Sequence, residues 1–172
     1  DSHNFITTNF TTTHNSMCAG CELVYHLTGE YPVWWKGKRF KSCNHWWVAG
    51  KDTKTVKGIL IDLLLGPVGN YGTGLIPRDS LDFETLKNVK KADGSVSNVR
   101  VRHKTGAYST IEFKSFDAGR QSFEGTSKNI WLDEEAPLQV YTECLLRTMS
   151  KSSANEDQIL MMTFTPLRGL SE

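Results

Sequence analysis

Three short apolar runs constrain the fold of this chain more than any other feature: "HWWVAG" (His45–Gly50), "NIWLDE" (Asn129–Glu134) and "QILMMTFTP" (Gln158–Pro166). Each is short for a helix and too uniformly apolar for a strand with one wet face. Such runs read as buried strands covered on both sides, the habit of parallel sheets. Segments with helical spacing lie between them. Ser16–Leu27 sets Met17, Cys21, Val24 and Leu27 along one side, Thr53–Leu65 stops at Gly66 and Pro67, and Leu138–Met149 follows Pro137, which suits a first helical turn. Strands alternating with helices predict an α/β fold, a mostly parallel sheet flanked by helices on both faces. "SNVRVRHK" and "YSTIEFKSF" alternate apolar and polar residues around "KTGA", and predict a β-hairpin inserted in that scheme. A short strand is expected at Phe5–Thr8, and "GEYPVWWKGKRF" and "GPVGNYGTGLIP" read as loops.

A chain of 172 residues suits one domain with its own core. Its net charge of +1 excludes a global basic field, so any contact with nucleic acid has to come from a local patch. The hairpin residues Arg100, Arg102, His103 and Lys104 could form one, though a solvated strand face explains them equally well. Trp34, Trp35, Trp46 and Trp47 read as core and loop packing rather than base-stacking platforms. No apolar run approaches the roughly 20 residues that span a bilayer, and the polar start lacks the order of a signal peptide. The four cysteines are therefore expected as thiols. Cys18 with Cys21, and Cys43 with His45, offer the residue types of a zinc site, but two cysteines one helical turn apart more often simply pack.

The chemistry concentrates in "IWLDEEAP", which sets Asp133, Glu134 and Glu135 at the carboxyl end of a strand. Open α/β sheets bind ligands at that edge. In a nucleotide hydrolase the first acid there holds Mg2+ and the next can polarise the attacking water. Three acids before a helix also favour its positive end without any ligand. The hydroxyls of "TFTP" end the next strand, where they could touch a phosphate or merely terminate the strand. Arg120 in "DAGRQSFEG" is a candidate for neutralising transition-state charge, in its own subunit or a neighbour's, or else a surface arginine. "NFTTTHNSMCAG" occupies the strand-to-helix junction where phosphate loops are built, yet residues 9–16 hold neither glycine nor lysine.

Taken together, "YHLTGEYPVWWKGKRF", "HWWVAGKDTKTVKGIL", "FDAGRQSFEGTSKNIWLDEEAP" and "MMTFTPLRGLSE" resemble the large terminase subunit of tailed bacteriophages, from about Met17 to Glu172. The resemblance implies a RecA-like P-loop ATPase core that uses ATP and Mg2+ to drive viral DNA into a procapsid. It implies double-stranded DNA, a portal protein and a small terminase subunit as partners, a homo-oligomeric ring and no membrane. The setting would be the host cell cytoplasm, transiently at the procapsid portal. Residues 1–172 would be a single terminase-type ATPase domain, a fragment without the upstream adenine-contacting segment and the downstream RNase H-like nuclease domain. Asp133 matches the Mg2+ acid of the second Walker motif, Glu134 the catalytic carboxylate, Thr163 and Thr165 the coupling motif, and Arg120 a candidate finger. His14, Asn15 and Ser16 fall where the first Walker motif ends in Gly-Lys-Thr or Gly-Lys-Ser. Ser16 keeps a hydroxyl for Mg2+, but Asn15 has no charge for the phosphates. The alternative is a catalytically silent remnant that serves as a folded or assembly module.

Overall fold

The computed structural model describes residues 4–6, 12–88, 96–126, 128–149 and 157–164, with backbone alone at 4–6, 12–14 and 88. Two short strands, β1 (Asn4–Ile6) and β2 (Thr12–His14), precede helix α1 (Asn15–Thr28). Strand β3 (His45–Gly50) leads to a continuous helical run made of α2 (Thr53–Thr55), a π-helical segment (Val56–Ile61) and α3 (Asp62–Leu65). A loop and the short helix α4 (Phe83–Asn88) come before the hairpin of β4 (Asn98–Arg102) and β5 (Tyr108–Ser115). Two 3-10 turns, Phe116–Ala118 and Arg120–Phe123, lead to β6 (Asn129–Asp133), α5 (Leu138–Met149) and β7 (Leu160–Thr163).

Five strands form one sheet in the order β4-β5-β3-β6-β7. Strands β5, β3, β6 and β7 run parallel, and β4 pairs antiparallel with β5. The alternation of side chains along β3 and β6 separates two cores. Trp46, Val48 and Trp131 face α1 and the 53–65 helical run, meeting Leu23, Leu27, Leu60 and Leu64. Trp47, Ala49, Ile130 and Leu132 face the other way, onto Phe123 and the α5 residues Val140 and Cys144. Helices therefore cover both faces of a mostly parallel sheet, as the apolar runs require. The hairpin and the ends of the 53–65 run also fall where the sequence puts them. Gly66 closes that run with φ 95° and donates its N–H to the Asp62 carbonyl, a conformation that favours glycine.

Three expectations need correction. The N-terminal strand does not enter the main sheet. It pairs with residues of the supposed loop, Asn4 opposite His14, Phe5 opposite Thr13 and Ile6 opposite Thr12. Thr12 and Thr13 are β-branched and favour that extended backbone. Among the described residues, α1 follows directly on β2 rather than on a strand of the main sheet. Second, the buried side of α1 carries Ala19, Leu23, Val24 and Leu27, while Met17 is 40% exposed. The helix shares only Val24 and Leu27 with the expected stripe, because its first turn borders a cleft rather than the core. Third, β7 is half-exposed along its length, since among the described residues it lies at the sheet edge and pairs on one side only.

Candidate active site

Helix α1 starts at the carboxyl end of β6. There the Ser16 hydroxyl donates to Asp133 Oδ1 at 2.7 Å, across 117 residues of sequence. The Thr163 hydroxyl donates to the same oxygen at 2.7 Å and accepts from the indole N–H of buried Trp131 at 2.8 Å. Asp133 is 3% exposed, so this carboxylate is oriented by three elements rather than by solvent. The parallel register explains the arrangement: Asp133 stands directly opposite Thr163 in β6 and β7, and Trp131 lies two residues back on the same face.

Glu134 follows in an unusual backbone state. Its φ is 79°, the only positive value of a non-glycine residue among the described residues. An L-residue pays about 1–2 kcal/mol for that conformation, and the Glu134 N–H donation to the Thr163 carbonyl at 2.6 Å holds it there. One threonine therefore fixes both acids, Asp133 through its hydroxyl and Glu134 through its carbonyl.

Asp133 and Glu134 line a cleft of about 420 Å³ together with Asn15, Ser16, Met17 and residues of the 53–65 run, Thr55, Gly58, Ile59 and Leu63. The π-helical segment supplies Gly58 and Ile59; wide π turns recur at functional sites. These wall residues escaped sequence reasoning because their spacing reads as plain helix. Trp131 was equally silent, being indistinguishable from a core aromatic until its N–H is seen to reach Thr163.

The remaining candidates separate. Asn15 lies in the cleft and its side-chain oxygen accepts the Ser16 N–H at 2.7 Å. His14 closes β2, and its side chain lies outside the described residues, as does all of Thr165. Arg120 is not brought to the cleft. It sits on a 3-10 turn against α5, on the opposite face of the sheet, 3.3 Å from both Glu124 and the buried Glu143, which Arg147 also pairs with. A finger acting within one chain does not fit this position. The cysteines do not assemble either: no group of three or more His, Cys, Asp or Glu able to hold a metal occurs among the described residues. Burial and the neighbouring Cys18 push the Cys21 thiol above its ordinary value, the opposite of a metal-ready thiolate.

The donor set at Asp133 fits Mg2+. A serine hydroxyl and a carboxylate are hard oxygen ligands, and two adjacent ligands of an octahedral Mg2+ stand about 2.9 Å apart, close to the 2.7 Å between Ser16 Oγ and Asp133 Oδ1.

Comparison with known proteins agrees with the motifs. The family model of the terminase large subunit, T4likevirus-type, N-terminal region, matches residues 16–172. The chain belongs to the terminase large-subunit family. Among curated proteins it is similar to the terminase large subunit of Salmonella phage P22, with 31% identity over 178 residues, 91% of this chain and 34% of that protein. The chain thus spans about a third of the length of the relative it matches. No solved structure matches it. The family match begins at Ser16, the first residue of the cleft to touch Asp133, and includes both acids and Thr163.

Proposed function

We propose that this terminase domain is the ATP-hydrolysing core of a motor that packages viral DNA. The observation that carries the reading is the convergence of Ser16, Asp133 and Glu134 on one cleft at the carboxyl edge of a parallel sheet. Ser16 and Asp133 would hold Mg2+, which when bound supplies charge neutralisation at the nucleotide phosphates. Glu134 would orient the attacking water and accept its proton, from a backbone that already aims the residue into the cleft. Thr163 would report the state of the cleft to the edge strand, with Thr165 beyond it in the same motif. Arg120, exposed on the far face, would act on a neighbouring subunit's cleft in a homo-oligomeric ring. Double-stranded DNA, a portal protein and a small terminase subunit are the proposed partners, in the host cytoplasm and at the procapsid portal. Among the described residues no helix is long and apolar enough to cross a membrane.

Nucleotide affinity should be low. Asn15 leaves the phosphates without a cation, and a hydrogen bond to a charged group contributes about 1.5–3 kcal/mol. Three consecutive threonines, Thr11 to Thr13, also resist the backbone of a phosphate-wrapping loop. The deciding experiment measures ATP binding with and without Mg2+, and turnover, in the parent chain and three variants. Glu134→Gln should lower turnover by about a hundredfold or more while leaving binding nearly intact. Asp133→Asn should remove the Mg2+-dependent part of binding. Rebuilding the loop with His14→Gly and Asn15→Lys should raise affinity about tenfold to a hundredfold. Absence of nucleotide binding in all of these proteins would overturn the reading in favour of a silent folded module.

A further inference from the structure

We infer that the amino edge of the sheet, opposite the acidic cleft, binds the phosphate backbone of duplex DNA. The chain is nearly neutral overall, but its charge is not evenly placed. Helix α1 runs from the cleft to this edge, where the Thr28 carbonyl accepts the Lys104 N–H of the hairpin turn and Asn44 joins the His26 carbonyl to Ser109. The loop after α1 therefore lies beside the hairpin turn and the starts of β3 and β6. Lys36, Lys38, Arg39 and Lys41 come from the loop, Lys104 from the turn and Lys128 from the approach to β6; the acids in the loop and on the approaches to β6 and β7 are Glu30, Glu124, Glu156 and Asp157. None of these six cations pairs with a carboxylate among the described residues, whereas Arg100, on the flank of the hairpin, is committed to Asp82 at 3.3 Å. The local field is felt by His45, which burial and then Lys128 hold below its ordinary pKa.

The loop is also built to hold its shape. Tyr31 accepts the Phe40 N–H at 2.7 Å and lies 3.0 Å from His26 Nδ1, and the buried His26 ring stacks on Trp46 at 5.6 Å. The Trp35 indole donates to the Lys38 carbonyl, and Arg39 donates to the Trp35 carbonyl. Lys38 reaches the Asp157 carbonyl at the approach to β7. With this aromatic anchor in place, Lys36 and Lys41 stay exposed, and Trp34 is 67% exposed beside them. A loop already held in shape loses little entropy when its cations meet a polyanion. Most protein–DNA hydrogen bonds go to phosphates, and a flat indole can lie along the adjoining sugars. The choice of duplex DNA as the polyanion rests on the packaging function proposed above; the basic surface does not.

Fluorescence anisotropy with a labelled short duplex, on the full chain, tests the inference across about 50–200 mM salt. Lys36→Glu with Lys41→Glu should weaken binding at least tenfold and reduce the salt slope by about two. Trp34→Ala should weaken binding with the slope unchanged. The charge-matched control Lys51→Glu with Lys54→Glu, at the other end of β3, should bind like the parent. Far-UV circular dichroism checks folding, and Lys36→Gln with Lys41→Gln replaces the reversal if that variant misfolds. An unchanged slope in the loop variant, equal losses in the control, or tighter binding to single strands than to duplex would each overturn the assignment. ATP binding measured in parallel separates the two proposals: loss of DNA binding with nucleotide binding intact places the defect at this edge, and the reverse places it in the cleft.

Discussion

At the scale of single residues, Thr163 and Glu134 explain each other. The Thr163 hydroxyl accepts the Trp131 indole N–H and donates to the Asp133 carboxylate, while its carbonyl accepts the N–H of Glu134 just past the neighbouring strand. Glu134 tolerates φ 79° because that carbonyl captures its N–H. A functional carboxylate held in a strained backbone implies a trade of stability for placement. Glu134→Gly should therefore stabilise the fold by up to about 1 kcal/mol, the relief of the left-handed cost less the extra chain entropy of glycine. Denaturant titration checks it, and a clear loss of stability would show that the side chain, not the backbone, holds this turn together.

Among the elements, α4 shows how a local cap becomes a pH dependence. Asp82 accepts the Thr85 hydroxyl at 2.7 Å and the Thr85 N–H at 3.2 Å, and Arg100 of β4 lies 3.3 Å away. The Thr85 hydroxyl is the main cause that holds the Asp82 carboxyl below its ordinary value, against a smaller opposing push from burial and with help from the Thr85 N–H and Arg100. A depressed folded pKa stabilises the protein above the unfolded value and ceases to do so as pH falls through the folded one. Stability should thus decline on acidification below about pH 4, and Asp82→Asn should flatten that acid limb while lowering stability at neutral pH. Thermal melts between pH 3 and 7 measure both. An acid limb identical in parent and variant would remove Asp82 from the account.

The molecule as a whole is one sheet clamped between two cores, and β3 and β6 belong to both. Trp46 and Trp131 report on the α1 side, and Trp47 reports on the α5 side. Asn129 adds a link between strands, donating to the His45 carbonyl and accepting the Ile159 N–H. Neither core can open without exposing a strand shared with the other, so unfolding should be a single transition. Tryptophan emission and far-UV circular dichroism should give superimposable denaturation curves; separated midpoints would mean that the α5 layer melts alone. The same architecture sets two chemically unlike ends, an acidic cleft where the strands finish and a basic aromatic rim where they begin, joined directly by α1.

What the sequence determined by itself is what short-range patterning encodes. The runs His45–Gly50 and Asn129–Glu134 specified parallel strands covered on both faces, the hairpin alternation was explicit, and "IWLDEE" placed the acids at a strand end, because burial and alternation act within a few residues. The tertiary structure alone decided what depends on register between distant segments. Ser16 meets Asp133 only because α1 lands at the end of β6, and Thr163 meets both acids only because β7 pairs with β6 in one register. Arg120 was turned away from the cleft by Glu143, a partner 23 residues on whose burial no local pattern announces. The Thr12–His14 strand likewise formed because β-branched residues found an edge in Asn4–Ile6. Hydrogen bonds of this kind join groups far apart in the chain, and their geometry exists only once the packing of the sheet has fixed it.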